Sequence, residues 1–567
     1  LNPSRYEHKQ FVQQSNENLD DIPNAFSDFE IEIEIPTNYS LASNLTEISA
    51  TEQTNSKKVI LNSKNKNDVT ITIQPTNTYQ TYKNEIIEVS CGLEDDRVKD
   101  IEKAIIFDRI SRFTATRLGL PLTKKILISQ EDYLRQPFYG LNQLPSFLSP
   151  FSNELMFELK FLKTYLNNYL KENLNLNQRK DYWIYDGIQV FLMMQYADEY
   201  FPDLKMTGNV ANLKILKSYH FINLDFNQQY SYLYMLMARK NLDQALNEPK
   251  NRLIKFNEQI ASKYRAGLSL KYLDSYLGNE IVHKTIKEYI QENQFFGTNS
   301  RQFETVLIKN SPKDIYWFFR TVIESRDLID YKFGKVTKTE DSIKVNIINK
   351  TNTNVPISLY HIKNDKVINK QWITNISTDS TFVIPRLGAD KLTLNYFNEV
   401  PEYNLRNNWK SLKGFFFNNR PFKFVFFKDL EEPYYNQIFY LPEVEFNIYD
   451  GIAIGMRVNN KSILNKPFTF SVTPMYSSNT GTLVGKFSAM VDDNIREKGK
   501  LYNIRYIVTG NRFHYTKDAF YTNFIPIIQF RFRDKNLRTN KNEFIQLRQV
   551  YVNRDKSEFT TDLNTEN

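Results

Sequence analysis

Residues 434–456 read YYNQIFYLPEVEFNIYDGIAIGM, and this stretch decides the fold of the C-terminal part of the chain. Apolar and polar side chains alternate through its middle: Val444, Phe446 and Ile448 against Glu445 and Asn447. An Asp-Gly pair follows, and alternation resumes at Ile452. A period of two is typical of a β-strand with two different faces, and Asp-Gly favours a tight turn between strands. We therefore predict an antiparallel hairpin here.

The same alternation recurs to the end of the chain, for example where Phe468, Phe470 and Val472 alternate with Thr469 and Ser471. Long alternating strands separated by turns are typical of a transmembrane β-barrel, but a soluble antiparallel sandwich has the same period. In a barrel, the apolar set would face lipid and the polar set the lumen. We count six or seven strands after residue 440, fewer than the eight of the smallest barrels, and expect a fragment that ends inside its barrel.

Two earlier regions also show the strand period. Ile31, Ile33 and Ile35 alternate with glutamates, whereas the polar stretch from Ser56 to Lys66 is interpreted as a loop or hairpin end. Short strands with polar turns between about residues 331 and 397 predict a small β-sandwich.

Between about residues 99 and 326 the apolar residues follow the helical period. We predict helices at 153–173, 183–200, 250–265, 266–277 and 281–292, and a short strand at 125–128. The chain therefore belongs to the α+β class and contains several domains.

Composition excludes several kinds of protein. The 567 residues carry a formal charge of +8, but lysines are scattered rather than clustered, so we expect no nucleic-acid partner. The single cysteine, Cys91, excludes an internal disulfide and a cysteine-based zinc site. The five histidines include no pair at metal-ligand spacing, and no nucleotide-binding or GxSxG motif is present.

The helical region resembles the catalytic domain of gluzincin-type zinc aminopeptidases, in a divergent form from the Bacteroidota. Four segments carry the resemblance: KKILISQEDYLRQPFYGLNQLP from Lys124, FELKFLKTYL from Phe157, WIYDGIQVFLMMQY from Trp183 and KYRAGLSLKYLDSYLGNE from Lys263. They are similar, in this order, to the family's GxMEN substrate loop, its HExxH helix, its WLNEGFAxY helix and its YEKG helix. The resemblance covers about residues 28–396 and implies a thermolysin-like domain with a β-domain before it and a β-sandwich after it.

The chain departs from the family at the residues that would act in catalysis. Both histidines of HExxH are replaced, by Phe157 and Phe161, while Glu158 matches the general base. Asp186 stands for the third zinc ligand, at a longer interval than in the family, and Tyr264 matches the tyrosine that stabilises the intermediate. Phenylalanine offers zinc no donor, so we predict no metal, no other cofactor and no catalytic residue. We expect Glu158 to pair with a nearby lysine.

The substrate loop also lacks the acidic anchor that the family uses for the amino terminus of a peptide. Gly140, Leu141, Asn142 and Gln143 stand at those positions. The run from Tyr434 resembles the first strands of an outer-membrane barrel fused behind such a degenerate peptidase.

Together these features predict five regions. They are an aminopeptidase-like β-domain (1–98), a helical gluzincin-like pseudo-catalytic domain (99–330), a β-sandwich (331–398), a bridging segment (399–436) and a partial β-barrel (437–567).

The function that we expect is that of an inactive pseudopeptidase in the cell outer membrane, with its soluble domains in the periplasm. It would act as a scaffold or binding subunit, contacting outer-membrane lipid and other outer-membrane or periplasmic proteins in a multi-protein complex. Two alternatives stay open: an active metallo-aminopeptidase with atypical ligands, and a soluble peptide-binding module.

Overall fold

The protein has a mixed α+β fold of several parts, seen in a computed structural model. The structure describes residues 5–7, 10–12, 25–95, 97–140, 149–278, 280–413, 420–496, 499–539 and 541–559. Contacts between residues divide the chain into two compact units. Unit 1 contains residues Leu1–Leu204, Gln244–Arg326 and Glu399–Pro401, and unit 2 contains Lys205–Asp243, Asp327–Asn398 and Glu402–Asn567. The segment Lys205–Asp243, part of the helical region in the sequence-based division, therefore groups with the later β-rich parts.

Unit 1 begins with nine described strands, and a small apolar core in this region is centred on Leu45, Val59 and Leu61. The strands are β1 (Arg5–Glu7), β2 (Gln10–Val12), β3 (Ser27–Pro36), β4 (Ser40–Ser43), β5 (Thr46–Glu52), β6 (Ser56–Lys66), β7 (Ile71–Gln74), β8 (Gln80–Lys83) and β9 (Glu88–Cys91). The interpretation of Ser56–Lys66 as a loop is wrong, because this segment is the central strand between β3 and β5. Its apolar centre supplies Val59 and Leu61 to the core, and this outweighs its polar ends.

The helices account for most of the rest of unit 1. In chain order the chain forms α1 (Asp100–Leu118), α2 (Gln130–Arg135), α3 (Asn153–Asn173), α4 (Tyr182–Tyr200), α5 (His220–Asn223), α6 (Gln228–Arg239), α7 (Ser262–Leu277), α8 (Ile281–Glu292) and α9 (Ser300–Asn310). Of these, α5 and α6 lie in unit 2. Strand β10 (Lys125–Ile128) pairs in parallel with β9, and β11 (Asn175–Leu176) pairs in parallel with β12 (Gly297–Thr298).

The predicted helices at 153–173, 183–200 and 281–292 correspond to α3, α4 and α8 within one residue. The two helices predicted between 250 and 277 are instead one helix, α7, preceded by a π-helical turn at Asn257–Ala261. No helix in the described parts of the chain is both long and apolar enough to span a membrane.

Unit 2 contains two small sheets and one large one. The small sheets have the orders β13-β14-β17 and β16-β15-β18-β19. Their strands are β13 (Tyr331–Lys338), β14 (Ser342–Asn349), β15 (Ile357–Lys363), β16 (Lys366–Ile373), β17 (Asp379–Pro385), β18 (Lys391–Leu394) and β19 (Trp409–Ser411). Strand β19 extends the second sheet beyond residue 398, the predicted end of the sandwich.

Among the described residues the large sheet has nine strands, and eight of them lie wholly or partly after residue 440, where the sequence indicates six or seven. The nine strands are β20 (Phe422–Phe426), β21 (Asn436–Asn447), β22 (Gly451–Asn459), β23 (Phe468–Ser477), β24 (Leu483–Asn494), β25 (Leu501–His514), β26 (Phe520–Arg533), β27 (Asn542–Arg548) and β28 (Tyr551–Arg554). Strands β21 to β27 pair antiparallel in sequence order, whereas β20 joins β21 in parallel and β28 also pairs with β26. Among the described residues the sheet is open, since no pairing joins β20 to β27 or β28.

The predicted hairpin at 434–456 is formed by β21 and β22. Asp450 fixes its turn by accepting hydrogen bonds from the backbone N–H of His514 at 2.9 Å and from Asn447 Nδ2 at 3.0 Å. Gly451 follows with φ +66°, and a Cβ there would lie 2.4 Å from Asn479 Oδ1. Only glycine fits this turn without strain.

Candidate functional site

Helix α3 has three faces with different kinds of side chain. One of them packs in the core, and another lines the candidate site. Residues three or four positions apart lie on the same helical face. One face carries a row of aromatic rings, a second carries Glu158, and a third carries Lys163, Asn167 and Lys171 at intervals of four.

The aromatic face contains Phe157 and Phe161, the two residues that stand at the histidine positions in the resemblance to HExxH. Phe157 and Phe161 are each 2% exposed, and their rings stack with centroids 6.3 Å apart. Phe161 also stacks on Tyr165 at 5.8 Å and meets Phe107 of α1 edge to face at 6.2 Å. The two rings are therefore core residues that join α3 to α1.

Glu158 is buried and paired on the side of α3 that faces α1 and α4. Its carboxylate lies 2.5 Å from a guanidinium nitrogen of Arg109 and accepts a hydrogen bond from the Tyr196 hydroxyl. Burial raises the pKa of Glu158, while Tyr196 and Arg109 oppose the rise. The expected lysine partner is thus an arginine, and both carboxylate oxygens have structural partners.

Asp186 of α4 does not share these contacts. Its carboxylate lies 3.3 Å from Lys263 Nζ of α7, and Lys263 also donates a hydrogen bond of 2.8 Å to Gln136 Oε1. Three elements that are far apart in sequence therefore meet at one buried ion pair.

Lys163 of α3 belongs to the same polar cluster. Its ammonium group donates to Gln189 Oε1 of α4 at 3.3 Å, and Gln189 Nε2 donates back to the Lys163 carbonyl at 2.8 Å. Burial is the main cause that lowers the pKa of Lys163 from 10.5 to about 7; the nearby Lys263 ammonium contributes to this fall, and Asp186 opposes it. A lysine near half ionisation at neutral pH is unusual for a purely structural side chain.

A cavity of about 470 Å³ opens beside this cluster, within unit 1. Its lining includes five basic and two acidic side chains: Arg135, Lys163, Lys171, Lys250 and Lys263 against Asp132 and Glu258. Apolar surface comes from Pro137, Phe138 and Ile260. We call this the basic cavity.

The remaining predicted site residues lie near the cavity or outside the described residues. Tyr264 is 5% exposed, and burial raises its pKa, with Tyr139 and Tyr133 adding to the rise. Gly140 has φ +95° in the turn after α2. Leu141, Asn142 and Gln143 lie outside the described residues.

The structure changes which residues of α3 correspond to a metal-binding pair. An HExxH helix places its two ligands at i and i+4 on the face that looks into the cavity. On α3 that face carries Lys163 and Asn167, whereas Phe157 and Phe161 face the core. Zinc in proteins is held by cysteine, histidine and carboxylate side chains, and neither a lysine nor an asparagine belongs to that set, so the zinc that the resemblance implies does not fit these residues. The described parts of the chain contain no group of three or more His, Cys, Asp or Glu side chains arranged for a metal.

The sequence contained a signal for this face that the motif comparison missed. Lys163, Asn167 and Lys171 repeat every four residues within a helix whose neighbouring positions are mostly apolar. The partners of Lys163 could not be found in the same way, because Gln189 and Lys263 lie on other helices.

A second feature is the contrast between the two faces of the large sheet in unit 2. Residues directly opposite each other in an antiparallel pair share a face. From β21 to β22 the register places Val444 opposite Ile454, and from β22 to β23 it places Ile454 opposite Tyr476. From β23 to β24, Val472 lies opposite Phe487 on the same face. It extends through further apolar pairs to Ile528 opposite Leu547.

Large apolar side chains on this face, which we call the apolar face, are exposed. They include Phe422, Phe424, Phe426, Val444, Phe446, Ile452, Ile454, Met456, Phe468, Val472, Tyr476, Phe487, Val491, Tyr506, Phe524, Ile528, Ile545 and Leu547. Phe446 is 77% exposed and Ile454 62%. Solvent-exposed apolar patches on soluble monomers rarely exceed a few hundred Å², so a row across most strands of a sheet requires a covering.

The opposite face is richer in polar side chains, and several of its charges are paired. Glu443 lies 2.6 Å from Arg457 and 3.0 Å from Lys486, while Arg505 lies 3.1 Å from Asp492. Lys486 and Arg457, with Ser471, Ser488 and Thr509, also line a cavity of about 510 Å³ on this side.

Comparison with known proteins assigns no family. No protein-family model matches the sequence, and no curated protein matches it. Among solved structures, the chain is similar to Legionella pneumophila aminopeptidase A in complex with aspartic acid, with a TM-score of 0.49 and 12% identity. The match covers 68% of this chain and 45% of that one, so the chain spans less than half of the solved protein. At this TM-score the similarity supports no argument about function.

Proposed function

We propose that the protein is a non-catalytic binding subunit of an outer membrane, held there by its large sheet, with a peptidase-like unit that has lost metal chemistry. The observation that carries the anchoring role is the chemical contrast between the two faces of that sheet. An apolar exposed face opposite a polar, ion-paired face is the arrangement of a barrel wall, whose outside meets lipid and whose inside meets water.

A soluble sandwich would show the reverse contrast. Its apolar face would be buried against a second sheet, and its polar face would be exposed to water. Here Phe446 and Ile454 are largely exposed, whereas Thr473 on the polar face is only 2% exposed. Acyl chains are therefore the covering that we propose for the apolar face.

The side chains of α3 support the proposed non-catalytic role. Lys163 and Asn167 occupy the i and i+4 positions that face the basic cavity, and Glu158 is held by Arg109 and Tyr196. A general base needs an activated water within reach, and a catalytic zinc needs three protein ligands. Neither requirement is met by these residues.

The anchoring role can be tested by single-cysteine labelling of β23. Cys91, the one native cysteine, is 5% exposed, so a cysteine introduced in β23 should be the main labelled site. Val472 is 43% exposed on the apolar face, and its neighbour Ser471 lines the polar cavity. We would label Val472→Cys and Ser471→Cys in the full chain with an environment-sensitive fluorophore and reconstitute both in lipid vesicles.

We expect the label at position 472 to shift to the blue and to be quenched by brominated acyl chains, and the label at 471 to do neither. Equal behaviour at the two positions would count against a barrel wall, as would a full chain that stays monomeric and soluble without detergent. Asn447, although polar, is a poor control position because its side chain donates hydrogen bonds to Asp450 and to the His514 carbonyl.

A further inference from the structure

We propose that the basic cavity binds a small organic oxyanion, a carboxylate or a phosphate ester, whose acidic group contacts the ammonium groups of Lys163 and Lys263. This inference rests on the proposed binding role of unit 1 and names its ligand class, but it does not require the sheet to enter a membrane.

The first argument is the incomplete hydrogen bonding of Lys163. An ammonium group has three donors, and among the described residues the Lys163 side chain has one hydrogen bond, the 3.3 Å contact with Gln189. Lys163 is 7% exposed, and burying a charge is costly unless it is paired. An oxyanion in the cavity would supply the partner.

The second argument is the balance of charge. In the described part of the cluster, one carboxylate, Asp186, accompanies two ammonium groups, and it is in ion-pair contact with Lys263. Of the two acidic side chains in the cavity lining, Asp132 already accepts hydrogen bonds from the Ser129 backbone N–H at the start of α2 and from Asn168. The cavity therefore has an excess of positive charge that a monoanion or dianion would neutralise.

The third argument is the size and shape of the cavity. A volume of about 470 Å³ lies within the range of roughly 300–1,000 Å³ that is usual for small-molecule sites. Phe138, Pro137 and Ile260 offer apolar contact beside the ammonium groups. This combination suits a small molecule with one acidic group and an uncharged body better than a bare inorganic ion.

Binding should also be linked to the proton of Lys163. An anion beside this side chain favours its charged form, so binding takes up a proton above about pH 7 and weakens as the pH rises. The charged groups around the cavity that would modulate this effect are Lys263 of α7, Asp186 of α4, Asp132 and Arg135 of α2, Lys171 of α3, and Lys250 and Glu258 from the turns before α7.

The test uses calorimetric titration of the full chain, kept in detergent, with three probes at constant ionic strength: N-acetylalanine, N-acetylalanine amide and inorganic phosphate. Each is titrated into wild type, Lys163→Met and Lys160→Met. Lys160 is the matched control, since it lies on the same helix but outside the lining of the cavity.

We expect at least one of the two anions to bind wild type and the Lys160→Met variant, with affinity reduced about tenfold or more in Lys163→Met, while the neutral amide does not bind. Binding of N-acetylalanine alone identifies a carboxylate site, and binding of phosphate alone identifies a phosphate site. For N-acetylalanine, the dissociation constant of wild type should rise about tenfold or more between pH 7 and pH 9.

The inference is wrong if neither anion binds at about 10 mM, if the amide binds as well as the acid, or if Lys163→Met binds like wild type. Should Lys163→Met fail to fold, anion binding by wild type that does not change between pH 7 and pH 9 would overturn it equally. Failure of binding in a chain whose position 472 still enters lipid would refute this inference alone, whereas the reverse result would refute the membrane anchor alone.

Discussion

Replacing Lys163 by methionine should stabilise the ligand-free protein, and the gain should depend on pH. Lys163 is buried, and its pKa falls from 10.5 to about 7 in the folded state. At pH 7 the folded chain has lost about half of a proton that the unfolded chain retains. The linkage relation gives a cost of about 4 kcal/mol for keeping this lysine buried. Methionine removes that cost but leaves Gln189 Oε1 without its donor, a loss of about 1–3 kcal/mol. A net gain of roughly 1–3 kcal/mol remains.

The pH dependence separates this cause from better packing. Between pH 7 and about 10.5 the unfolded chain binds more protons at this position than the folded chain, so stability rises with pH. Below pH 7 both states hold the proton and the penalty is constant. From pH 7 to pH 9 the rise due to Lys163 amounts to about 2 kcal/mol, and it should be missing in Lys163→Met.

The assay is thermal unfolding of wild type and variant at pH 7 and pH 9 in the absence of added anions, followed by circular dichroism of the helical signal. Because the entropy of unfolding grows with chain length, the gap between the two melting temperatures should narrow by only about 2–3 °C at the higher pH. A gap that is the same at both pH values, or a variant that melts below wild type at pH 7, would show that Lys163 is not a desolvated charge. Lys160→Met, on the same helix, should show a smaller change of the same sign, because burial lowers the pKa of the half-buried Lys160 less than that of Lys163.

Three further predictions concern a buried ion pair, a buried aromatic ring and a buried carboxyl group. Arg109→Met should lower the free energy of unfolding by about 3–5 kcal/mol, because it leaves the charge of the buried Glu158 carboxylate without its cation. In urea unfolding, the double variant that also carries Glu158→Gln should recover most of this loss. Phe161→Ala should cost about 3–5 kcal/mol because Phe161 stacks between Phe157 and Tyr165; a loss below about 1 kcal/mol in the same assay would contradict a packed core. Burial raises the pKa of Glu402 to about 8. Between about pH 4.5 and 8 the folded chain therefore binds more protons at this residue than the unfolded chain, and the free energy of unfolding falls as the pH rises. Glu402→Gln should remove this fall, which melting temperatures measured across that pH range would show.

The local periods in the sequence determined the secondary structure well where one face of an element is uniformly apolar. The three-to-four residue period of 153–173 and 183–200 matches α3 and α4, and the two-residue period of 434–456 matches the hairpin of β21 and β22. Each of these elements has one face that is apolar along its whole length, so the spacing of apolar residues in the sequence is enough to identify it. The segment Ser56–Lys66 was misread because its polar ends conceal a strand that is held from both sides by β3 and β5.

The candidate site could be predicted only in part. That residues 157 and 161 are phenylalanines, which cannot bind a metal, could be read from the sequence, since it depends on residue identity alone. Which face of α3 lines the cavity could not be read from the sequence. If a motif is aligned a few residues too early or too late on a helix, its residues fall on a different face, and similarity of sequence does not fix the alignment to that accuracy. The contacts of Asp186 with Lys263, and of Lys163 with Gln189, join helices that are tens of residues apart in the chain.

By itself, then, the sequence determined the α+β class of the fold and the alternating chemistry of the C-terminal strands, because each of these depends on neighbouring residues. Tertiary structure alone decided that Glu158 is paired with Arg109, that Lys163 is buried beside Lys263, and that the apolar side chains of eight strands combine into one exposed face. These properties depend on distances between residues remote in sequence, and burial and charge pairing, which set pKa values and binding, exist only once those residues meet.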